Sequence, residues 1–135
     1  MVAERTRGAV GRLARRLRAE RPADALSSNK VGVLSHLYRF GASSPGDIAA
    51  AERQRPQSLT RVFAELESAG LVARAPNESD RRGAVLALTA AGGEALRRDM
   101  GHRDAWLADA LEELSDREVD VLGLAAGIMD RLAQR

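Results

Sequence analysis

The sequence predicts a mainly α-helical chain that carries one small β-hairpin. Three observations predict it. Apolar residues recur at helical spacing through most of the 135 residues, interrupted by capping signals rather than by long loops. Between Gly70 and Thr89 the spacing changes to alternation around a polar, turn-rich segment. Aromatics supply only 3% of a chain that is 44% hydrophobic, so leucine, valine and alanine must fill the core, which suits packed helices.

The first helix is expected from about Val2 to Glu20, with Val10, Leu13 and Leu17 on one stripe and Arg12, Arg15, Arg16 and Arg18 on its other faces. Pro22 and Ser27-Ser28-Asn29 separate it from a second helix, whose Val31, Leu34, Leu37 and Tyr38 form an apolar face ending near Gly41. Ser44-Pro45-Gly46-Asp47 opens a short third helix. Ser44 caps the free amides, Pro45 suits the first helical position, and Asp47 completes a capping box. Ile48 and Ala49 start its apolar face, and it ends around Glu52.

A fourth helix is expected from Pro56 to Ala69, with Leu59, Val62, Phe63 and Leu66 turned inward. Gly70 takes the left-handed conformation that ends it. Leu71–Arg74 and Ala84–Leu88 then read as paired strands, with Pro76–Gly83 as the charged loop between them. Thr89 caps a long fifth helix reaching toward Glu112, with Leu96, Met100, Leu107 and Leu111 on one side. Ser115-Asp116-Arg117-Glu118 is a second capping box. It opens a sixth helix bearing Val119, Leu122, Ala126 and Met129 on one face and Val121, Leu124, Ile128 and Leu132 on neighbouring ones. A helix apolar over most of its circumference cannot lie on the surface of a monomer, so its second face is expected to meet another subunit.

Composition narrows the function. Net charge is only +2, yet the isoelectric point is 9.9, because Lys30 is the one lysine and the remaining basic residues are arginines. Guanidinium forks bind phosphate and guanine edges in a two-pronged geometry that an ammonium cannot imitate. There is no cysteine, which removes disulfides, thiol redox sensing and thiolate metal sites. His36 and His102 lie far apart without a partner one turn away, so no metal site and no cofactor is expected. Gly92-Gly93 opens a helix after a strand but lacks the rest of a phosphate-loop fingerprint. No catalytic set emerges, and the chain is not expected to be an enzyme. No apolar run is long enough for a signal peptide or a membrane span, so the expectation is a soluble, cytoplasmic protein.

What remains is an order of elements: short helix, turn at Arg53-Gln54-Arg55, longer helix, basic-tipped hairpin. That is the order of a winged helix-turn-helix, whose second helix enters the major groove of DNA. With its apolar residues facing inward, the fourth helix leaves Gln57, Ser58 and Arg61 outward near its N-terminus. Glutamine pairs with adenine, arginine with guanine or phosphate, and serine with phosphate. Arg55, just before the helix, is placed for a phosphate. Glu65, one turn beyond Arg61, offers that arginine an alternative partner.

The stretch from Ser44 to Thr89 resembles the core of the MarR family of regulators. The matching residues are Ser58-Leu59-Thr60-Arg61, Leu66-Glu67-Ser68-Ala69-Gly70-Leu71-Val72, Asp80-Arg81-Arg82 and Leu86-Ala87-Leu88-Thr89. The flanking helices extend the resemblance over the whole chain. It implies one MarR-like domain over 1–135, with a winged helix-turn-helix lobe at about 28–89 and dimerisation helices at about 1–21 and 90–135. It implies that Gln57, Ser58, Thr60 and Arg61 sit on the recognition helix. Arg82 would be the wing-tip side chain in the minor groove, Asp80 would orient it or a nearby arginine, and Arg81 is a further expected DNA-binding residue. It also implies a homodimer joined through the terminal helices, for which Val10, Leu13, Leu111, Val121, Leu124, Ile128 and Leu132 are the expected interface residues.

The implied partner is double-stranded DNA with a pseudo-palindromic operator, bound as a repressor. In the resembled family phenolic or other aromatic acids bind between the dimerisation helices and the DNA-binding lobe, and the resemblance implies relief of binding here by a small aromatic or other apolar ligand. No residue here identifies such an effector. The competing expectation is a winged-helix dimerisation module that binds proteins rather than DNA, favoured by the near-neutral net charge.

Overall fold

The computed structural model describes the backbone throughout and the side chains of all residues except 80–82. Its elements run α1 (Val2–Arg18), α2 (Ser28–Phe40), α3 (Pro45–Ala51), α4 (Pro56–Ser68), β1 (Val72–Asn77), β2 (Asp80–Leu88), α5 (Ala90–Leu111) and α6 (Asp116–Ala133). The mainly helical fold with one antiparallel hairpin is therefore the one expected. The chain divides into two compact units, one of Pro22–Met100 and one of Met1–Arg21 with Gly101–Arg135.

The Pro22–Met100 unit is built on one apolar cluster. Val33, Leu34 and Leu37 of α2 meet Ile48 and Ala49 of α3, Leu59, Phe63 and Leu66 of α4, Val72 and Leu86 of the hairpin, and Leu96 of α5. Leu34, Ile48, Leu59, Leu66 and Leu86 are fully buried, and each such side chain contributes about 1.5–3 kcal/mol on leaving water. The buried stripe of α2 is centred on Val33, Leu34 and Leu37. Tyr38 lies about a quarter turn off that centre and is exposed, contrary to the expected face.

Helix ends follow the capping chemistry. Ser44 Oγ accepts the Asp47 amide at 3.1 Å, with Pro45 at the first helical position. The reciprocal half of that box is not made, since aspartate is one methylene shorter than the glutamate that closes one. At α6 the box is complete: Ser115 Oγ accepts the Glu118 amide and Glu118 Oε2 accepts the Ser115 amide at 2.9 Å. Gly70, at φ 74°, ends α4, and the Leu71 amide donates back to Leu66 O at 3.0 Å. This is a Schellman ending.

The hairpin is longer than expected. β1 runs to Asn77, and its register pairs Val72 with Leu88 and Pro76 with Ala84. A third chain segment joins it: Ser43 donates to Leu86 O at 3.0 Å and accepts from Leu86 N at 2.8 Å. Asp99, on α5, is a buried carboxylate that accepts the Leu26 amide at 2.9 Å.

In the second unit, Arg16 of α1 lies over the Trp106 ring of α5, 4.3 Å from its centroid. None of the residues of α6 is buried. Val121, Leu124, Ile128 and Leu132 are exposed, as are Val10 and Leu13 of α1, whereas Leu111 is half-buried. Among the described residues no helix is long and apolar enough to cross a membrane.

Candidate nucleic-acid interface

The site begins at the turn between α3 and α4. The Glu52 amide donates to Ile48 O at 2.9 Å and the Gln54 amide to Ala49 O at 2.9 Å. Between them Arg53 takes φ 53°, the left-handed region that favours glycine. The Gln54 side chain reaches α2, donating to Asn29 Oδ1 at 2.8 Å. Glu52 lies against Gly32 of α2, where an added Cβ would come within 2.6 Å of Glu52 Oε2. The turn is thus held on both sides by side-chain contacts to α2.

Arg55 then serves as N-cap of α4 without a side-chain cap bond, and Pro56 opens the helix. Pro56 has no amide hydrogen and the Ser58 amide donates to Arg55 O at 2.9 Å, so the first turn offers an anion the Gln57 amide and the positive end of the helix dipole. Leu59, Phe63 and Leu66 fix the inner face in the core and Val62 is half-buried. By helical geometry this turns Gln57, Ser58, Thr60 and Arg61 outward, and all four are exposed, as is Arg55. Thr60 Oγ1 donates to Pro56 O at 3.2 Å, so its one proton is committed within the helix and it offers only an acceptor outward.

Arg61 has the alternative partner foreseen for it. Its Nε donates to Glu65 Oε1 at 2.9 Å. The other oxygen of Glu65 takes Lys30 Nζ at 3.1 Å, a contact between α2 and α4 absent from the sequence reading. Lys30 first and Arg61 second hold the Glu65 carboxyl below its ordinary value of 4.5. Sequence spacing reveals the Arg61 pair, which is one turn apart. It cannot reveal Lys30, which lies on another helix.

The hairpin leaves the end of α4 directly. Arg74 Nε pairs with Glu67 Oε2 at 3.5 Å, tying β1 to α4. At the tip, the Ser79 amide donates to Asn77 Oδ1 at 3.0 Å, a side-chain-closed turn. The side chains of Asp80, Arg81 and Arg82, the expected wing-tip residues, lie outside the described residues. At the base, Ser43 Oγ donates to Gly41 O at 2.9 Å and so accepts from His36 Nε2 at 3.2 Å. His36 thereby steadies the bridge to β2, a structural use for that histidine. No group of His, Cys, Asp or Glu suited to holding a metal occurs among the described residues.

Comparison with known proteins gives the same frame. A family model described as the MarR family matches residues 26–83, the span that contains the helix-turn-helix and most of the hairpin. An HTH-type transcriptional regulator of Mycobacterium tuberculosis is 39% identical over 121 residues, 90% of this chain and 85% of that protein. The crystal structure of a transcriptional regulator from Pseudomonas aeruginosa superposes with a TM-score of 0.80 at 32% identity, covering 99% of this chain and 94% of that one. MepR of Staphylococcus aureus, solved bound to an oligodeoxyribonucleotide, shares the fold at a TM-score of 0.65 and 17% identity, with 99% of each chain covered.

Proposed function

The chain belongs to the MarR family of transcriptional regulators, which are not enzymes, and from that premise we propose that it is a cytoplasmic, sequence-specific reader of double-stranded DNA. It binds a pseudo-palindromic operator as a homodimer and represses. One observation carries the reading. The inner face of α4 is locked by Leu59, Phe63 and Leu66, so that Gln57, Ser58 and Arg61 project from its uncapped N-terminal half. In this reading Gln57 takes an adenine edge, Arg61 a guanine edge or phosphate, Arg55 and Ser58 phosphates, and Thr60 a donor from the duplex. Arg82 enters the minor groove with Asp80 and Arg81 beside it. The oligonucleotide bound to the fold neighbour MepR supports this use of the architecture.

The exposed apolar side chains Val10, Leu13, Val121, Leu124, Ile128 and Leu132, with half-buried Leu111, support dimerisation through the terminal helices. Four of these exposed side chains lie on the one helix α6, which has no buried residue of its own, and a helix so apolar is not expected to stay in water. A small aromatic or other apolar ligand relieves repression by favouring a dimer whose spacing does not fit the operator. BpsR of Bordetella bronchiseptica, a fold neighbour at 21% identity, has its DNA binding regulated by 6-hydroxynicotinic acid, which supports that class of effector.

The test is selection of bound fragments from a random-sequence duplex pool by the purified protein. The expected product is a two-fold symmetric motif with half-sites about one helical turn apart. No enrichment at low ionic strength would overturn the reading and favour a protein-binding winged-helix module instead.

A further inference from the structure

Resting on the reading of Arg61 as a DNA contact, we propose that Lys30 is a positioning residue for that contact: it retains the Glu65 carboxylate so that Arg61 is released to the duplex. The geometry divides one carboxylate between two cations. Oε2 takes Lys30 Nζ at 3.1 Å and Oε1 takes Arg61 Nε at 2.9 Å. The three side chains grade outward, Lys30 being 28% exposed, Glu65 42% and Arg61 91%. The inner cation comes from α2, whose packing against α4 fixes it, and the outer one stands in water.

An exposed pair one turn apart on a helix is weak, and weaker still when the base precedes the acid, as Arg61 precedes Glu65. A phosphate or guanine edge therefore competes for this arginine. The obstacle is the carboxylate left behind, a negative charge on the helix that meets a polyanion. Lys30 removes it. As Arg61 departs from one oxygen, the ammonium still occupies the other, so the acid is neither orphaned nor free to recapture the arginine. Lys30 is also the chain's only lysine. A compact ammonium satisfies one oxygen, whereas a planar guanidinium would engage both and exclude Arg61. The depressed Glu65 titration, caused by Lys30 ahead of Arg61, agrees with the inner partner being the stronger.

The test uses the duplex recovered by the selection above, with affinity and its salt dependence measured for Lys30→Met, Glu65→Gln, the double variant and Arg61→Ala, each checked for cooperative melting. The inference requires opposite signs. Lys30→Met is expected to weaken binding about 3–10-fold and Glu65→Gln to tighten it about 2–5-fold. In the Glu65→Gln background the Lys30→Met loss shrinks to about twofold or less, because the acid it served is gone. A purely structural bridge between α2 and α4 is broken from either end, so both single variants would then weaken binding together, and that result overturns the proposal. An equal Lys30→Met loss with and without Glu65 places Lys30 on the DNA itself and also overturns it. If Arg61→Ala leaves affinity unchanged, the reading of Arg61 fails and the proposal with it. Arg61→Ala weakening binding without opposed signs at Lys30 and Glu65 refutes the proposal alone.

Discussion

The Thr89 hydroxyl donates to the Gly70 carbonyl at 2.7 Å and accepts the Gly92 amide at 3.0 Å. One side-chain oxygen therefore joins the left-handed residue that ends α4 to the first turn of α5, across the whole hairpin. The Thr89 amide adds a second tie, to Leu71 O at 3.2 Å. The closeness of this junction explains Gly92: a Cβ there would fall 2.0 Å from Leu71 O and 2.8 Å from Leu88 Cδ1. The paired glycines that superficially suggest a phosphate loop are, at position 92, a packing requirement.

Gly92→Ala should accordingly lose about 3 kcal/mol of stability, since backbone rather than a side chain must move. Thr89→Val should lose about 1–2 kcal/mol and Thr89→Ser much less. Chemical denaturation checks all three. A Gly92→Ala protein as stable as the wild type would show the junction to be loose.

Arg53 occupies a left-handed conformation with a side chain that disfavours it. Relief of that strain should make Arg53→Gly about 0.5–1 kcal/mol more stable in thermal melts. If the turn faces the duplex, as proposed for the helix after it, the same variant should bind DNA more weakly, about 2–5-fold, through loss of one cation. Gain in stability with loss of affinity is the expected pair of results. Affinity that is unchanged removes Arg53 from the interface.

At the wing, Arg82→Ala should weaken operator binding by about 1–3 kcal/mol while the protein stays folded and self-associated. The slope of log affinity against log salt should flatten where a phosphate contact is lost and stay constant where only a groove contact is lost. A fluorescence-anisotropy titration over a salt series distinguishes the two. Undiminished affinity would place the DNA contact elsewhere than this tip.

Local spacing rules make much of the fold legible in the sequence, and the rest shares a physical cause. Capping at Ser44, Thr89 and Ser115 and the glycine ending at Gly70 are local rules with spacings of three or four residues, and all appear in the structure. The inward set Leu59, Phe63 and Leu66 is likewise dictated by helical period. The misses are long-range or weakly patterned. Strand β1 continues through Ala75, Pro76 and Asn77, residues with low strand preference that pairing with β2 overrides. The Ser43–Leu86 bridge, the Asp99–Leu26 bond and the Lys30–Glu65 pair join residues far apart in the chain. No spacing rule reaches that far.

For the terminal helices, Ile128→Asp is the decisive substitution. Ile128 is 48% exposed in the single subunit, so a carboxylate there is tolerable in a monomer. In a dimer seam it would be buried without a partner. The expected outcome is a helical protein with unchanged circular dichroism that sediments as a monomer and binds DNA poorly. A variant that remains dimeric would remove this face from the interface.

Acid should act through two carboxylates. Glu65 is held below its ordinary 4.5 by Lys30 and then Arg61, and Glu118 by the Ser115 amide and then its hydroxyl. Each group is more acidic folded than unfolded. Its contribution is therefore complete above pH 4.5 and declines as the pH falls through and below that value. The Glu65→Gln, Glu118→Gln double variant should show a shallower loss of melting temperature below that pH than the wild type. Identical acid limbs would show that neither carboxylate is linked to folding.

The contact between Arg16 and Trp106 has a practical consequence. Trp106 is the chain's only tryptophan, and the guanidinium that covers it belongs to the N-terminal helix. Indole emission responds in colour and yield to a neighbouring cation and to water. The unlabelled protein's ultraviolet emission is therefore a built-in gauge of whether α1 is seated on α5, legible during ligand or duplex titration without dye or isotope.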